Sequence, residues 1–241
     1  MNIFKKIIQT FFPSGKSVSQ KSPFVYIALG DSTVEGIGAS HISKTYPAII
    51  HRALLKSYKR VVFHNFGKGG AKITDVLEAQ LTQTIDANPH LITISIGAND
   101  IFKRKSVKHF EIHLDQLLYT LSEKTDATIV INTIPDFSVV PSIPPGLRTY
   151  CIIQGKRFNT VIEKLAKKHS AVLADLYTHT KILGKQYSEL FSADGLHPSD
   201  IGYAIWAHTI LVKIEDILKK QTGIAPEAES VIAPTLEENN H

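Results

Sequence analysis

Three residues of this 241-residue chain have the types and spacing for nucleophilic chemistry: Ser32, Asp194 and His197. Ser32 closes an apolar run, Phe24-Val-Tyr-Ile-Ala-Leu29, that stops abruptly on Gly30-Asp31-Ser32. A run with little polar alternation ahead of a glycine reads as a buried strand feeding a tight turn. Parallel sheets hold their reactive groups just beyond the carboxyl ends of such strands. Alone, Gly-Asp-Ser reads as well as an Asx-type turn with an N-cap serine; a nucleophile also needs a base. Asp194 and His197 lie three apart in Asp194-Gly195-Leu196-His197-Pro198, across a glycine that lets both side chains project the same way. That is what a carboxylate orienting an imidazole requires, and such an imidazole can take a proton from a serine hydroxyl.

Two further strand-end turns carry candidates. Asn65-Phe66-Gly67-Lys68-Gly69-Gly70 has neither the spacing of a phosphate-binding Gly-Lys-Ser/Thr loop nor a Gly-x-Gly-x-x-Gly pattern. Its glycines instead let backbone N–H groups approach something small and negative. Gly97-Ala98-Asn99-Asp100 ends another apolar run, where asparagine is ordinarily a turn former. His109 and His113 share a helix face at metal-ligand spacing, but no His-Glu-x-x-His pattern accompanies them, so a solvated face is the expectation and no metal is assigned. Cys151, the single cysteine, falls in a predicted helix and reads as packing.

The elements that must position these residues alternate. Predicted strands cover Phe24 to Leu29, Val61 to His64, His90 to Ile96, Ala127 to Thr133 and Ala171 to Leu176. Helices are predicted over Ala48 to Tyr58, Ile73 to Ile85, Val107 to Lys124, Cys151 to Lys168 and Ser199 to Lys220. Five strand-to-helix alternations make a doubly wound α/β/α structure with a parallel sheet, and place Ser32, Gly70, Asn99 and the Asp194/His197 turn on one edge of it. The proline-stiffened connection Ile134 to Leu147 either walls a pocket beyond that edge or packs on its own domain.

Length and 43% hydrophobic residues suit one domain with a real core, placed at residues 23–222. One cysteine rules out an intramolecular disulfide and fits the cytoplasm. The formal charge of +5 is uneven: residues 1–22 hold four lysines and no acid, whereas residues 223–241 hold four glutamates and no Lys or Arg. Without arginine-rich clusters interleaved with aromatics, nucleic acid is not an expected partner. The basic leader is expected to be disordered or a weak amphipathic anchor at a membrane surface, and the acidic tail disordered. The oligomeric state leaves no mark on the sequence.

From Phe24 to Lys220 the chain resembles the SGNH hydrolases, or GDSL-type esterases and lipases. The resemblance rests on Gly30-Asp31-Ser32, Asn65 through Gly70, Gly97-Ala98-Asn99-Asp100 and Asp194-Gly195-Leu196-His197-Pro198, in that order. Thr33 departs from it, since many members have leucine beside the serine. It implies a flavodoxin-like three-layer α/β/α sandwich with a five-stranded parallel sheet, and a serine ester hydrolase acting on small-acyl or lipid-like esters without a cofactor. Ser32 would be the nucleophile, His197 the base and Asp194 its orienting acid. The backbone N–H groups of Ser32 and Gly70 and the side-chain amide of Asn99 would receive the oxyanion. Asp31 and Asp100 are expected to tie turns, because a carboxylate beside the oxyanion would oppose its charge. A carbohydrate O-deacetylase or an acyltransferase on the same fold stays open, as does a non-catalytic binding module.

Overall fold

The computed structural model describes residues 22–222; the basic leader up to residue 21 and the acidic tail from residue 223 lie outside the described residues. Five strands, β1 (Phe24–Gly30), β2 (Val61–Asn65), β3 (Leu91–Ser95), β4 (Thr128–Asn132) and β5 (Val172–Ala174), form one sheet in the order β2-β1-β3-β4-β5. Every pairing is parallel, as the apolar runs predict. The chain leaves β1 toward β2 and then crosses back over β1 to reach β3. The carboxyl end of β1 is therefore a topological switch point, where an open parallel sheet presents a crevice.

Helices cover both faces. On one side, α3 (Ile73–Ala79), α6 (Val107–Lys124) and α7 (Pro145–Lys168) pack Val76, Phe110, Leu114 and Phe158 against Ile27, Leu29, Ile92, Ile94 and Ile131. On the other, α2 (Tyr46–Ser57) and α9 (Asp200–Thr222) pack Tyr46, Ile50, Tyr203, Ala207 and Ile210 against Tyr26, Ala28 and Val130. Alternate residues of each strand thus face opposite layers, which a strand's period of two dictates. Short helices α1 (Ser32–Glu35), α4 (Leu81–Asp86), α5 (Ala98–Phe102) and α8 (Leu176–Leu183) fill the connections.

Local sequence explains where several helices start. Thr45 caps α2 by accepting the Ala48 N–H, and Ser106 caps α6 by accepting the His109 N–H. Three boundaries differ from the sequence reading. The last connection before α7 ends early, since the helix begins at Pro145, where a proline's fixed φ suits the first turn. The fifth predicted strand, β5 at the sheet's edge, spans only Val172–Ala174 because Asp175 stops it by capping α8, a helix for which the sequence gives no expectation. The helix predicted over Ile73 to Ile85 is two helices, broken at Gln80.

Gln80 explains its own break. It is 3% exposed, accepts the Gly30 N–H through Oε1 at 2.9 Å and donates from Nε2 to the Gly30 carbonyl at 2.9 Å. A side-chain amide thereby serves as the missing strand partner at the last residue before the Gly30-Asp31-Ser32 turn. Gln80→Leu keeps the volume but strands the Gly30 N–H in the interior, and is expected to lower unfolding free energy by about 2 kcal/mol in urea titration. An unchanged midpoint would mean the Gly30 backbone is not held by this amide.

Candidate active site

The nucleophile turn is built from β1 outward. Gly30 takes a φ of +141°, and a Cβ there would lie 1.9 Å from the Ser95 carbonyl oxygen, so the close approach of β1 and β3 at this point admits glycine alone. Asp31 caps α1, accepting the Thr33 N–H at 3.0 Å and the Thr33 hydroxyl at 2.8 Å on Oδ1. Ser32 is then the first residue of α1, a position whose N–H has no intrahelical acceptor. Its hydroxyl lies 2.9 Å from His197 Nε2, and His197 Nδ1 lies 2.6 Å from Asp194 Oδ2. Hydroxyl, imidazole and carboxylate stand in series.

The turn that carries the imidazole is separated from β5 by α8 and a 3₁₀ turn at Ser188–Leu190. It closes on itself through the Ser192 N–H to the His197 carbonyl at 2.8 Å, with an antiparallel bridge between Phe191 and Pro198. The Ser142 N–H donates to the Gly195 carbonyl at 3.0 Å, so the proline-rich connection braces the turn. Gly38 lets the loop after α1 pass beneath it: a Cβ on Gly38 would sit 2.8 Å from that of His197.

Asp194 Oδ1 accepts from the Ser192 hydroxyl and from the Leu196 and His197 N–H groups at 2.8 to 2.9 Å. Its partial burial pushes the pKa up, but these donors and the His197 ring outweigh that and hold the carboxyl far below the usual range. It stays ionised wherever the imidazole could need it. Stability from Asp194 is accordingly present above the ordinary carboxylate pKa and lost as pH falls below it.

Asp31 behaves in the opposite way. Burial pushes its pKa up to about 6, against the lowering effect of the Thr33 hydrogen bonds. A carboxyl that ionises later folded than unfolded favours the fold at low pH, and that stability is lost as pH rises from about 4 through about 6, by roughly 3 kcal/mol. Asp31→Asn keeps the Oδ1 acceptor. Its stability relative to wild type, read from denaturant midpoints, is expected to be near zero at pH 4 and to rise to about 3 kcal/mol at pH 8. A pH-independent difference would refute the buried-charge assignment.

Gly70 and Asn99 reach the same crevice from β2 and β3. Gly70 has a φ of +77°, and the neighbouring Gly69 N–H donates to Glu35 Oε2 at 2.6 Å, which ties the glycine turn to α1. Asn65 adds a second tie, donating to the Val34 carbonyl at 2.7 Å. Asn99 Nδ2 gives one hydrogen to the Ala71 carbonyl at 3.1 Å, which fixes the amide and leaves its other N–H to project. Asp100, fully buried, accepts the Ile73 N–H at 3.1 Å, and burial pushes it up to about 6; like Asp31 it ties a turn.

Ser32, Gly70, Asn99 and His197 border one cavity of about 290 Å³, whose walls continue as Ile134, Phe137, Val140, Leu183 and Trp206. The proline-rich connection therefore does both things open to it: Phe137 and Val140 line the cavity and are buried in the core. Of the other candidates, Cys151 is buried, and burial pushes its thiol up. His109 and His113 are half-buried rather than on a solvated face; their ring centroids lie 4.2 Å apart with the planes tilted by 45°, and His113 Nδ1 lies 2.7 Å from the His109 carbonyl. Among the described residues no three His, Cys, Asp or Glu side chains gather into a metal-binding group. Glu35 and Gln80 had no part in the sequence reading, and Asn65 entered it only as the first residue of the glycine-rich turn; polar residues beside Gly-rich strand ends were the available signal.

A hydroxyl backed by an imidazole and a carboxylate, at the switch point of a parallel sheet and beside a mostly apolar cavity, defines the class: an α/β protein with the geometry for acyl transfer through serine. The particular family follows from comparison. The chain belongs to the GDSL-like lipase/acylhydrolase family, which it matches over residues 28–205. It is 27% identical over 198 residues to the GDSL-like esterase Rv1075c of Mycobacterium tuberculosis, covering 81% of this chain and 63% of that relative's length. Solved structures share the fold. An acetyl xylan esterase variant from Geobacillus stearothermophilus superposes with a TM-score of 0.66 at 18% identity, over 80% of this chain and 95% of that one. Phospholipase A1 from Streptomyces albidoflavus NA297 does so at 0.63 and 22%, over 80% and 100%.

Proposed function

We propose that this protein hydrolyses carboxylic esters through Ser32, His197 and Asp194, with an acyl-enzyme intermediate. The observation that carries the reading is the unbroken series from Ser32 Oγ to His197 Nε2 at 2.9 Å and from His197 Nδ1 to Asp194 at 2.6 Å. Ser32 Oγ attacks the ester carbonyl while His197 Nε2 takes its proton, and His197 returns that proton to the departing alcohol. Asp194 accepts the Nδ1 hydrogen, which fixes the tautomer and stabilises the imidazolium. The Ser32 and Gly70 N–H groups and the free Asn99 N–H receive the negative oxygen of the tetrahedral intermediate. A water, deprotonated by His197, repeats the attack on the acyl-serine and releases the acid.

The cavity beside Ser32 takes the acyl group. At roughly 30 Å³ for each water-sized group, about 290 Å³ accommodates on the order of ten heavy atoms, so a short to medium acyl chain fits. Hydrolysis of p-nitrophenyl esters from acetate to palmitate is expected to peak within that range. Labelling of Ser32 by a fluorophosphonate separates a catalyst from a binding module on the same fold. An optimum confined to acetate would favour deacetylation, and a protein neither labelled nor active would remove the proposal.

A further inference from the structure

Asn132 is the last residue of β4 and only 1% exposed. The rest of its strand, Thr128-Ile129-Val130-Ile131, is what a buried parallel strand requires, and asparagine is disfavoured there. Ile94 of β3 pairs with Ile131, so Ser95 and Asn132 end their strands side by side. Val130 packs in the layer of α9, and Asn132, two residues on, falls on the same face of the sheet.

Both polar atoms of its side chain, Oδ1 and Nδ2, are buried and meet no hydrogen-bonding partner among the described residues. Its neighbours are already engaged. The Ser95 hydroxyl lies 3.2 Å from that of Thr33, and the Thr133 hydroxyl accepts the Tyr177 N–H at 2.8 Å. A buried amide with neither its donors nor its acceptor used is costly, and few such groups persist in folded proteins. Asn132 nevertheless lines the cavity that begins at Ser32 and His197.

We infer that Asn132 is a specificity-determining residue: it recognises a neutral hydroxyl carried on the acyl group that lies in this cavity. The inference rests on the ester-hydrolase reading and deepens it, naming a hydroxyacyl ester as the substrate class. A carboxamide supplies one acceptor and two donors, which complement a group that both donates and accepts. An anionic acyl terminus is disfavoured, because the Asn132 amide brings no positive charge and the Asp31 carboxyl borders the cavity. The apolar remainder, Ile134, Phe137, Val140 and Trp206, holds the hydrocarbon part of the same chain.

The test uses the full chain and paired p-nitrophenyl esters of six to ten carbons, each with and without one hydroxyl placed at successive positions along the acyl group. Wild type is expected to show, at one hydroxyl position, kcat/KM about tenfold or more above the unsubstituted ester, since a site built to hydrogen-bond a hydroxyl rejects the analogue lacking it. Asn132→Leu is expected to bring that ratio to one or below, with a thermal midpoint no lower than wild type because the unpaired amide is gone. Wild type preferring no hydroxyl position overturns the inference without any variant being needed. So does a preference that survives Asn132→Leu, or an equal loss on both members of a pair. Fluorophosphonate labelling with turnover of plain esters alone would sink this inference and keep the hydrolase reading; no labelling and no turnover would sink both.

Discussion

Ser32→Ala and His197→Ala are each expected to lower kcat/KM for the best p-nitrophenyl ester by about 10⁴-fold or more, and the double variant by no more than the worse single one. The two groups share one proton transfer across 2.9 Å, so removing either removes the whole step. Ser32→Ala deletes one oxygen at a position 9% exposed, and the Gly30, Asp31 and Gln80 contacts that shape the turn are to backbone and to Thr33. Thermal unfolding should therefore be close to wild type. A background above water is expected to survive, because oxyanion donors and the cavity remain. Multiplicative losses in the double variant would mean the residues act independently, and retained turnover in either single variant would mean another nucleophile or base.

Asp194→Asn is expected to cost about 10⁴-fold in kcat while leaving KM within a few-fold. Asp194 meets donors on every side: the Ser192 hydroxyl, two backbone N–H groups and the His197 ring. An amide cannot accept from all of them. If its NH₂ faces His197 Nδ1, the imidazole must carry its proton on Nε2, toward Ser32, and cannot serve as base. If its oxygen faces Nδ1, the NH₂ is driven against three other donors and the turn opens. A tenfold loss or less would reduce Asp194 to a turn-forming residue. Fluorophosphonate labelling, in which Ser32 Oγ displaces fluoride from phosphorus and no acyl-enzyme has to be hydrolysed, gives the same reading: its rate should fall with kcat.

The sequence itself determined the architecture, because burial writes a simple pattern. Strands covered on both faces must be apolar throughout, and β1, β3 and β4 are; helices covered on one face must repeat at helical spacing, and α6 and α9 do. The candidate residues were legible for a related reason. A serine, glycine or asparagine at the end of an apolar run beside a glycine has few packing roles, and the three-residue spacing of Asp194 and His197 is local, so one turn settles their relation. The family resemblance joined these separated turns into a single site before any distance was available.

What the sequence left open depended on contacts between residues far apart in the chain. Gln80 sits within a good helical pattern, and only its meeting with Gly30, fifty residues earlier, breaks the helix. Glu35 holds the glycine turn through Gly69, and Gly38 matters because His197 passes over it. The Ile134 to Leu147 connection could wall a pocket or pack inward until its fold showed Phe137 and Val140 doing both. Asn132 lies unremarked inside the predicted strand Ala127 to Thr133, and only burial without a partner, at a cavity wall, sets it apart. Periodicity reports which side of an element is buried. It carries no information about what lies on the far side of that burial, and that is where hydrogen bonds and specificity are decided.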